Sequence, residues 1–194
     1  KGGGAYTRSG TTNYSLCVFN SNSASDATSG EGGAMFVNGG TSTLTNCVLA
    51  ANTAAGTGGD GGGAIKVAAG TLNLQSSTLA GNSSASTVKT DANTVSTLSG
   101  STTDILNTII WGSAAAHVNT GGTVNFTNAL VKGATLTAPS LSANPKFTNE
   151  AVPAGADGVW LTTDDGLNLL PCSPAINVAS AAAPATDILN RARV

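Results

Sequence analysis

The chain has 194 residues, with 8 Lys and Arg against 10 Asp and Glu, a net charge of −2 and only 9% charged residues. That length suits one domain with its own, if narrow, core. The sparse, scattered charge excludes a basic surface for nucleic acid or anionic lipid, and a highly charged disordered tail.

Residues 2–25, 32–55 and 62–85 carry one pattern three times. Tyr14, Leu44 and Leu74 share a step of thirty residues, as do Phe19, Leu49 and Leu79, and Asn22, Asn52 and Asn82; the Gly-Ala pairs at 4–5, 33–34 and 63–64 keep nearly the same step. A period of that size marks a solenoid of stacked supersecondary units. Alternation within the third copy predicts strands: Ile65 and Val67 on one face with Lys66 on the other, then Leu72 and Leu74 inward, then Ser77-Thr78-Leu79. Gly, Asn and Ser clusters separate these segments. Three short strands per repeat, each pairing with its copy one repeat later, make an all-β fold. It is a parallel β-helix of about 30-residue coils, with one variable loop per coil at 26–32, 55–62 and 86–101.

Stacking places like on like. Tyr6, Met35 and Ile65 are expected to form one inward ladder, Tyr14, Leu44 and Leu74 another, and Phe19, Leu49 and Leu79 a third. Asn22, Asn52 and Asn82 fall where a strand ends and a turn begins. They are expected on one line parallel to the solenoid axis, bonding turn backbone and the next coil as a structural ladder. Beyond the third loop the register returns at 105–112 and about twenty-one residues later at 124–131, with Pro145-Lys146-Phe147 in a last coil. The expected organisation is one β-helix domain over 1–194. It has three loop-bearing repeats (1–101), shorter coils (102–150) and an irregular C-terminal coil or cap segment (151–194). The chain opens inside a repeat and ends without a cap, and so reads as a fragment of a longer one.

Cys17 and Cys47 occupy equivalent positions, with Ser77 at the third. Coils about 4.8 Å apart allow either a buried thiol pair or a disulfide. Cys172 reads as a small buried residue.

The coil opening at 32–35 and the closing Asn46-Cys47-Val48-Leu49-Ala50-Ala51-Asn52-Thr53-Ala54 resemble the repeats of polymorphic outer membrane proteins. Further on come Asn107-Thr108-Ile109-Ile110-Trp111-Gly112, Asn144-Pro145-Lys146-Phe147 and the segment 158–167. Cys172-Ser173-Pro174-Ala175-Ile176-Asn177 and the segment 186–193 complete the series. In that order they resemble the C-terminal part of secreted bacterial right-handed β-helix proteins called choice-of-anchor Q domain proteins. The resemblance covers most of the chain. Cys172 stands where that family has Gly, and the chain stops before the family's closing Asp-Ile-Gly-Ala-Tyr-Glu-like segment. The resemblance implies a right-handed helix and export to a bacterial cell surface, and brings no activity with it.

Parallel β-helices include pectate lyases and polygalacturonases, whose chemistry needs carboxylates clustered on a strand face with Arg or Lys close by. Here Asp26, Glu31 and Asp60 fall in loops, Asp91 and Asp104 flank the longest loop, and Arg8 and Lys66 stand alone. His117, the single histidine, has no recognisable partner, and neither a zinc spacing nor a Ser-His-Asp signature is present. The acidic run 155–166 offers Asp157, Asp164 and Asp165 either as calcium ligands or as caps of a solvated turn. Ice binding would need an outward Thr ladder; positions 13 and 15, 43 and 45, 73 and 75 read Asn and Ser, Thr and Thr, Asn and Gln.

The expected function is therefore that of a non-catalytic extracellular structural or adhesin-type β-helix. It would bind a glycan, a surface protein or copies of itself through loops and coil ends. The alternative is a polysaccharide lyase or hydrolase keeping its active residues in loops. No stretch reaches the roughly 18 apolar residues of a membrane-spanning helix.

Overall fold

The computed structural model describes residues 1–193, and none of them is helical. The first coil holds strands β1 (Ala5–Thr7), β2 (Thr11–Ser15), β3 (Val18–Asn20) and β4 (Ser23–Ala24). The second holds β5 (Met35–Thr45), β6 (Val48–Ala50) and β7 (Thr53–Ala54), and the third β8 (Ile65–Gln75), β9 (Thr78–Ala80) and β10 (Ser83–Ser84). Next come β11 (Val95–Thr97), β12 (Thr102–Leu106) and β13 (Ile109–Trp111), then β14 (Val118–Thr120), β15 (Thr123–Thr127) and β16 (Leu130–Val131). Every pairing between these strands is parallel and joins one coil to the next, giving a β-solenoid of about four turns.

The step of thirty residues becomes position in the coil. Tyr14 pairs with Leu44 and Leu44 with Leu74, while Phe19 pairs with Leu49 and Leu49 with Leu79. These side chains line one continuous core with Met35, Ile65, Val95, Ile105 and Ile110. Removing each such side chain from water is worth about 1.5–3 kcal/mol. The rows that hold Val67 and Leu72 in the third coil also carry hydroxyls in other coils, and these pair with one another. Thr7, Thr12 and Ser42 form one such group, and Thr97 bonds Thr103 at 2.7 Å.

The corners are built on left-handed backbone. Leu16, Asn46, Ser76, Asn107 and Asn128 all have φ between 49° and 57° at the corner before the β3, β6, β9, β13 and β16 strands. Asn tolerates that region better than most residues. At the opposite corner Ser21, Ala51 and Gly81 do the same, and the residue after each is Asn22, Asn52 or Asn82. Asn52 Oδ1 accepts the backbone N–H and the side-chain N–H of Asn22, both at 2.9 Å. Asn82 Oδ1 serves Asn52 in the same way at 3.0 and 2.8 Å. The side-chain amides of Asn52 and Asn82 also donate to the carbonyls of Phe19 and Leu49. A second ladder at the first corner was not read from the sequence: Ser77 Oγ accepts the N–H of Cys47, and Thr108 Oγ1 accepts that of Ser77.

Several expectations need correction. Tyr6 does not share a ladder with Met35 and Ile65. Ala5 does, and Tyr6 pairs with Phe36 and, beyond it, Lys66. The first Gly-Ala pair sits one residue off the thirty-residue step, and a one-residue slip turns a side chain to the other face. Tyr6 is 50% exposed and stacks on Phe36 with ring centres 5.6 Å apart. The segment 86–101 is not one loop, because it contains β11, which pairs with both β8 and β14. Phe147 does not continue the coil register. It bridges Leu169 in antiparallel fashion and packs with Trp111 and Leu130 in a second apolar cluster. Cys17 and Cys47 are free thiols, and Cys172 is exposed rather than buried. Burial pushes the Cys47 thiol up to about 11, so it stays protonated.

Asn52 is wholly buried. Replacing it with Ala strands the Asn22 amide and the Phe19 carbonyl, and is expected to destabilise the fold by about 1–3 kcal/mol. Thr43→Ala on the outer face is expected to change stability by less than about 0.5 kcal/mol. Urea unfolding of the two variants beside the parent chain measures both.

Candidate functional site

The loops that close each repeat do not project independently. Thr57 donates its backbone N–H to Ala27 O at 3.0 Å, Gly58 to Thr28 O at 3.1 Å, and Thr87 to Thr57 O at 2.9 Å. Each loop is thus paired to its copy much as the strands are, and together they form a ridge parallel to the solenoid axis. Asp26 organises the first turn by accepting the amides of Thr28 and Ser29, and those bonds hold its carboxyl below the ordinary range. Ser86 takes that place in the third turn, accepting the amides of Val88 and Lys89 while donating to Gly59 O. Ala27, Thr28, Thr57, Thr87 and Val88 on the ridge are exposed and uncharged, and the Asp26 carboxylate is exposed beside them.

Under the ridge lies a buried ion cluster. Lys66 points away from the solenoid core but does not stand alone. Its Nζ lies 3.0 Å from Asp60 Oδ2, 3.4 Å from Glu31 Oε1 and 3.5 Å from Ser96 Oγ. The Lys66 side chain is 1% exposed and that of Glu31 9%, while Asp60 keeps 34%. Lys1 approaches the other oxygen of Glu31 at 3.5 Å. Glu31 Oε1 also accepts the Asp60 backbone N–H at 2.8 Å. The sequence held a signal for this. Lys66 occupies the outward row Tyr6, Phe36, Lys66, Ser96, Asn119. Every loop returns to the coil just before that row, so an acid at a loop's end lands above it. Asp91, at the end of the third loop, accordingly meets Asn119 at 2.7 Å.

His117 lies beyond this cluster and is 1% exposed. Its Nδ1 meets Thr94 Oγ1 at 2.7 Å, and its Nε2 is buried without a hydrogen-bond partner. Burial first, then the nearby Lys132, holds its imidazole below the ordinary histidine range.

On the opposite flank the chain beyond residue 177 runs back along the solenoid as a strap. The left-handed corner residues tether it. Asn128 donates to Val178 O, and Asn107 exchanges two bonds with Ser180 at 2.8 and 3.1 Å. Asn46 donates to Thr186 O and accepts from Arg193. At the coil between them the row carries Ser76, whose hydroxyl is buried and unpartnered. A cleft of about 660 Å³ lies between flank and strap, with Val48, Thr78 and Ile109 on one side and the ion pair Asp187–Arg191 on the other. Its lining also holds Asp164 and Asp165 and the thiol of Cys47, which burial keeps protonated.

The three carboxylates read either as calcium ligands or as caps of a solvated turn are bound to their own turn. Asp164 accepts from the Thr162 hydroxyl and from the amides of Ala156 and Asp157. The Thr162 bond is the main cause of its lowered pKa. Asp157 accepts from Val159 N–H, and Asp165 from Leu161 N–H. Among the described residues no group of three or more His, Cys, Asp or Glu side chains is placed to hold a metal ion. No helix among them is long and apolar enough to cross a membrane.

One outer face carries an unbroken Thr row, because Thr11, Thr41, Thr71, Thr102 and Thr123 share a register. It lies two residues before the outward positions weighed from the sequence. The adjoining row reads Asn13, Thr43, Asn73, Asp104, Asn125, so the face is a mixed polar sheet rather than a uniform Thr array. Asp104 is bonded to Asn125 at 2.7 Å. Comparison of the chain with protein-family models, curated proteins and solved structures gives no match.

Two expectations follow from these sites. His117 resists protonation when folded but takes up a proton near pH 6.5 when unfolded. Its contribution is therefore complete above that pH and is lost as pH falls below it. In the variant His117→Gln the slope of stability against pH between about 6.5 and 5 should flatten, as followed by thermal unfolding. The variant Asn107→Ala should release the strap around Ser180 while leaving the coil spectrum intact. Faster limited proteolysis within 178–193 is the measurement.

Proposed function

We propose that this chain is a non-catalytic, extracellular β-solenoid segment of adhesin type from a bacterial surface protein, and that its stacked loop ridge meets a glycan. The observation that carries this reading is the register of the loops. A ridge bonded rung to rung presents hydroxyls and backbone amides in a fixed array, with little ordering left to occur on binding. Ala27, Thr28, Thr57, Thr87 and Val88 at its crest are uncharged, which suits a neutral polar ligand. Of the charges around them, Asp26 is bound to the amides of its own turn, Asp91 to Asn119, and Glu31, Asp60 and Lys66 to one another, while Lys89 is half-buried in the third loop. Support for export comes from the resemblance of the motif series between 107 and 193 to the choice-of-anchor Q domain proteins, and of the repeats to polymorphic outer membrane proteins.

A catalytic reading needs an acid and a base facing one substrate. Two carboxylates that could be tested for those roles are each engaged elsewhere, Asp60 with Lys66 and Asp104 with Asn125.

The test replaces residues 86–93 with a short turn, leaving β11 in place, and compares both chains on a glycan array and against host surface proteins. Loss of glycan binding with an unchanged β spectrum is expected. Binding that survives the replacement removes the ridge from the site, and binding to proteins alone replaces the glycan. Turnover of polyuronates or neutral glycans, with or without calcium, overturns the non-catalytic assignment.

A further inference from the structure

We propose that Lys66 and Asp60 are joined by an intramolecular isopeptide bond, with Glu31 as the proton carrier. The three side chains already stand where that reaction requires them. Lys66 Nζ touches the Asp60 carboxyl at 3.0 Å, and Glu31 Oε1 lies 3.4 Å from the same nitrogen. Glu31 also fixes the Asp60 backbone through the 2.8 Å bond from its N–H, so one carboxylate positions both reactants. Gly59 leaves the room this needs, since a Cβ there would stand 2.8 Å from Glu31 Cγ.

A charged Lys is not a nucleophile, so the reaction starts from the neutral form of the pair, reached across the 3.0 Å contact. Transfer of one proton from Lys66 to Asp60 gives an amine beside a carboxylic acid. The Nζ lone pair then adds to Asp60 Cγ, forming the C–N bond. Glu31 takes a proton from Nζ and returns it to the hydroxyl on Cγ, which leaves as water. The products are an amide and one water, and no oxidant or external reagent enters. Holding the groups in contact is worth an effective molarity of roughly 10⁵–10⁸ M, which is what allows an unactivated carboxyl to acylate an amine. Asp60 sits at the edge of the cluster, 34% exposed, so the water released has a way out. The bond would close a ring over residues 60–66 and lock the second loop to β8.

Intact-mass measurement of the purified, unfolded chain tests this directly. The expected mass is lower than the sequence mass by one water. In a tryptic digest the cut after Lys66 should be lost, with no fragment ions between residues 60 and 66. Lys66→Arg and Glu31→Gln should each restore the full mass. Asp60-Gly61 can also lose water by forming a succinimide, which hydroxylamine cleaves and an amide survives. A full sequence mass in the parent chain overturns the proposal. So does a water loss that persists in K66R, or one that hydroxylamine removes. The parent digest decides the matter even where K66R fails to fold.

Discussion

The constraint on which the structure rests is the amide left over at each corner. A coil must turn sharply between its strands, and at two corners it does so through single left-handed residues such as Asn46 and Ala51. The N–H that follows such a residue is buried at the turn rather than carried within a strand ladder. The coil above supplies its acceptor: Asn52 for Asn22, Asn82 for Asn52, Ser77 for Cys47, Thr108 for Ser77. Leaving one such group unpaired costs about 1–3 kcal/mol, comparable to exposing a core Leu. Coils therefore cannot slide past one another by one residue without losing both a ladder and a core face.

Everything on the outside inherits that register. Because the corners are locked, the loops leave and rejoin each coil at the same points, and their amides find the same partners one coil away. The same locking puts Asn46, Asn107 and Asn128 on one edge, where side chains freed from turn duties reach the strap. Asn there does two things at once: it accepts the left-handed backbone and offers a donor and an acceptor sideways. Ser76 meets the backbone requirement less readily and is too short for the second role, which accounts for its unpartnered hydroxyl beside the cleft.

What the sequence disclosed tracks how strictly the period is kept. Phe19, Leu49, Leu79 and the three asparagines recur at one step, and the pairing and hydrogen bonds fall on those residues. Tyr6 was misplaced because its neighbouring Gly-Ala pair is offset by one, and only the corners could have said which signal governs. The strand Val95–Thr97 lay hidden in a polar stretch, since only Val95 announces it. The second ladder was missed because its members change identity from Cys to Ser to Thr while keeping one role. The strap was beyond periodicity altogether. Its contacts span 50 to 147 residues and depend on side chains whose local context is only a turn.

The ion cluster shows why so little charge suffices in this chain. On the coil faces, side-chain amides and hydroxyls satisfy one another from rung to rung, as Asn73 does with Thr43. A surface knit in that way needs few charges to hold its side chains in place. Lys66 differs because a loop covers it, and a covered cation must be matched or neutralised. Two acids from two successive loops supply the match, Glu31 from below and Asp60 from its own repeat. That arrangement ties neighbouring loops to one strand residue, so the ridge is anchored at its base through Lys66 as well as along its length by backbone bonds.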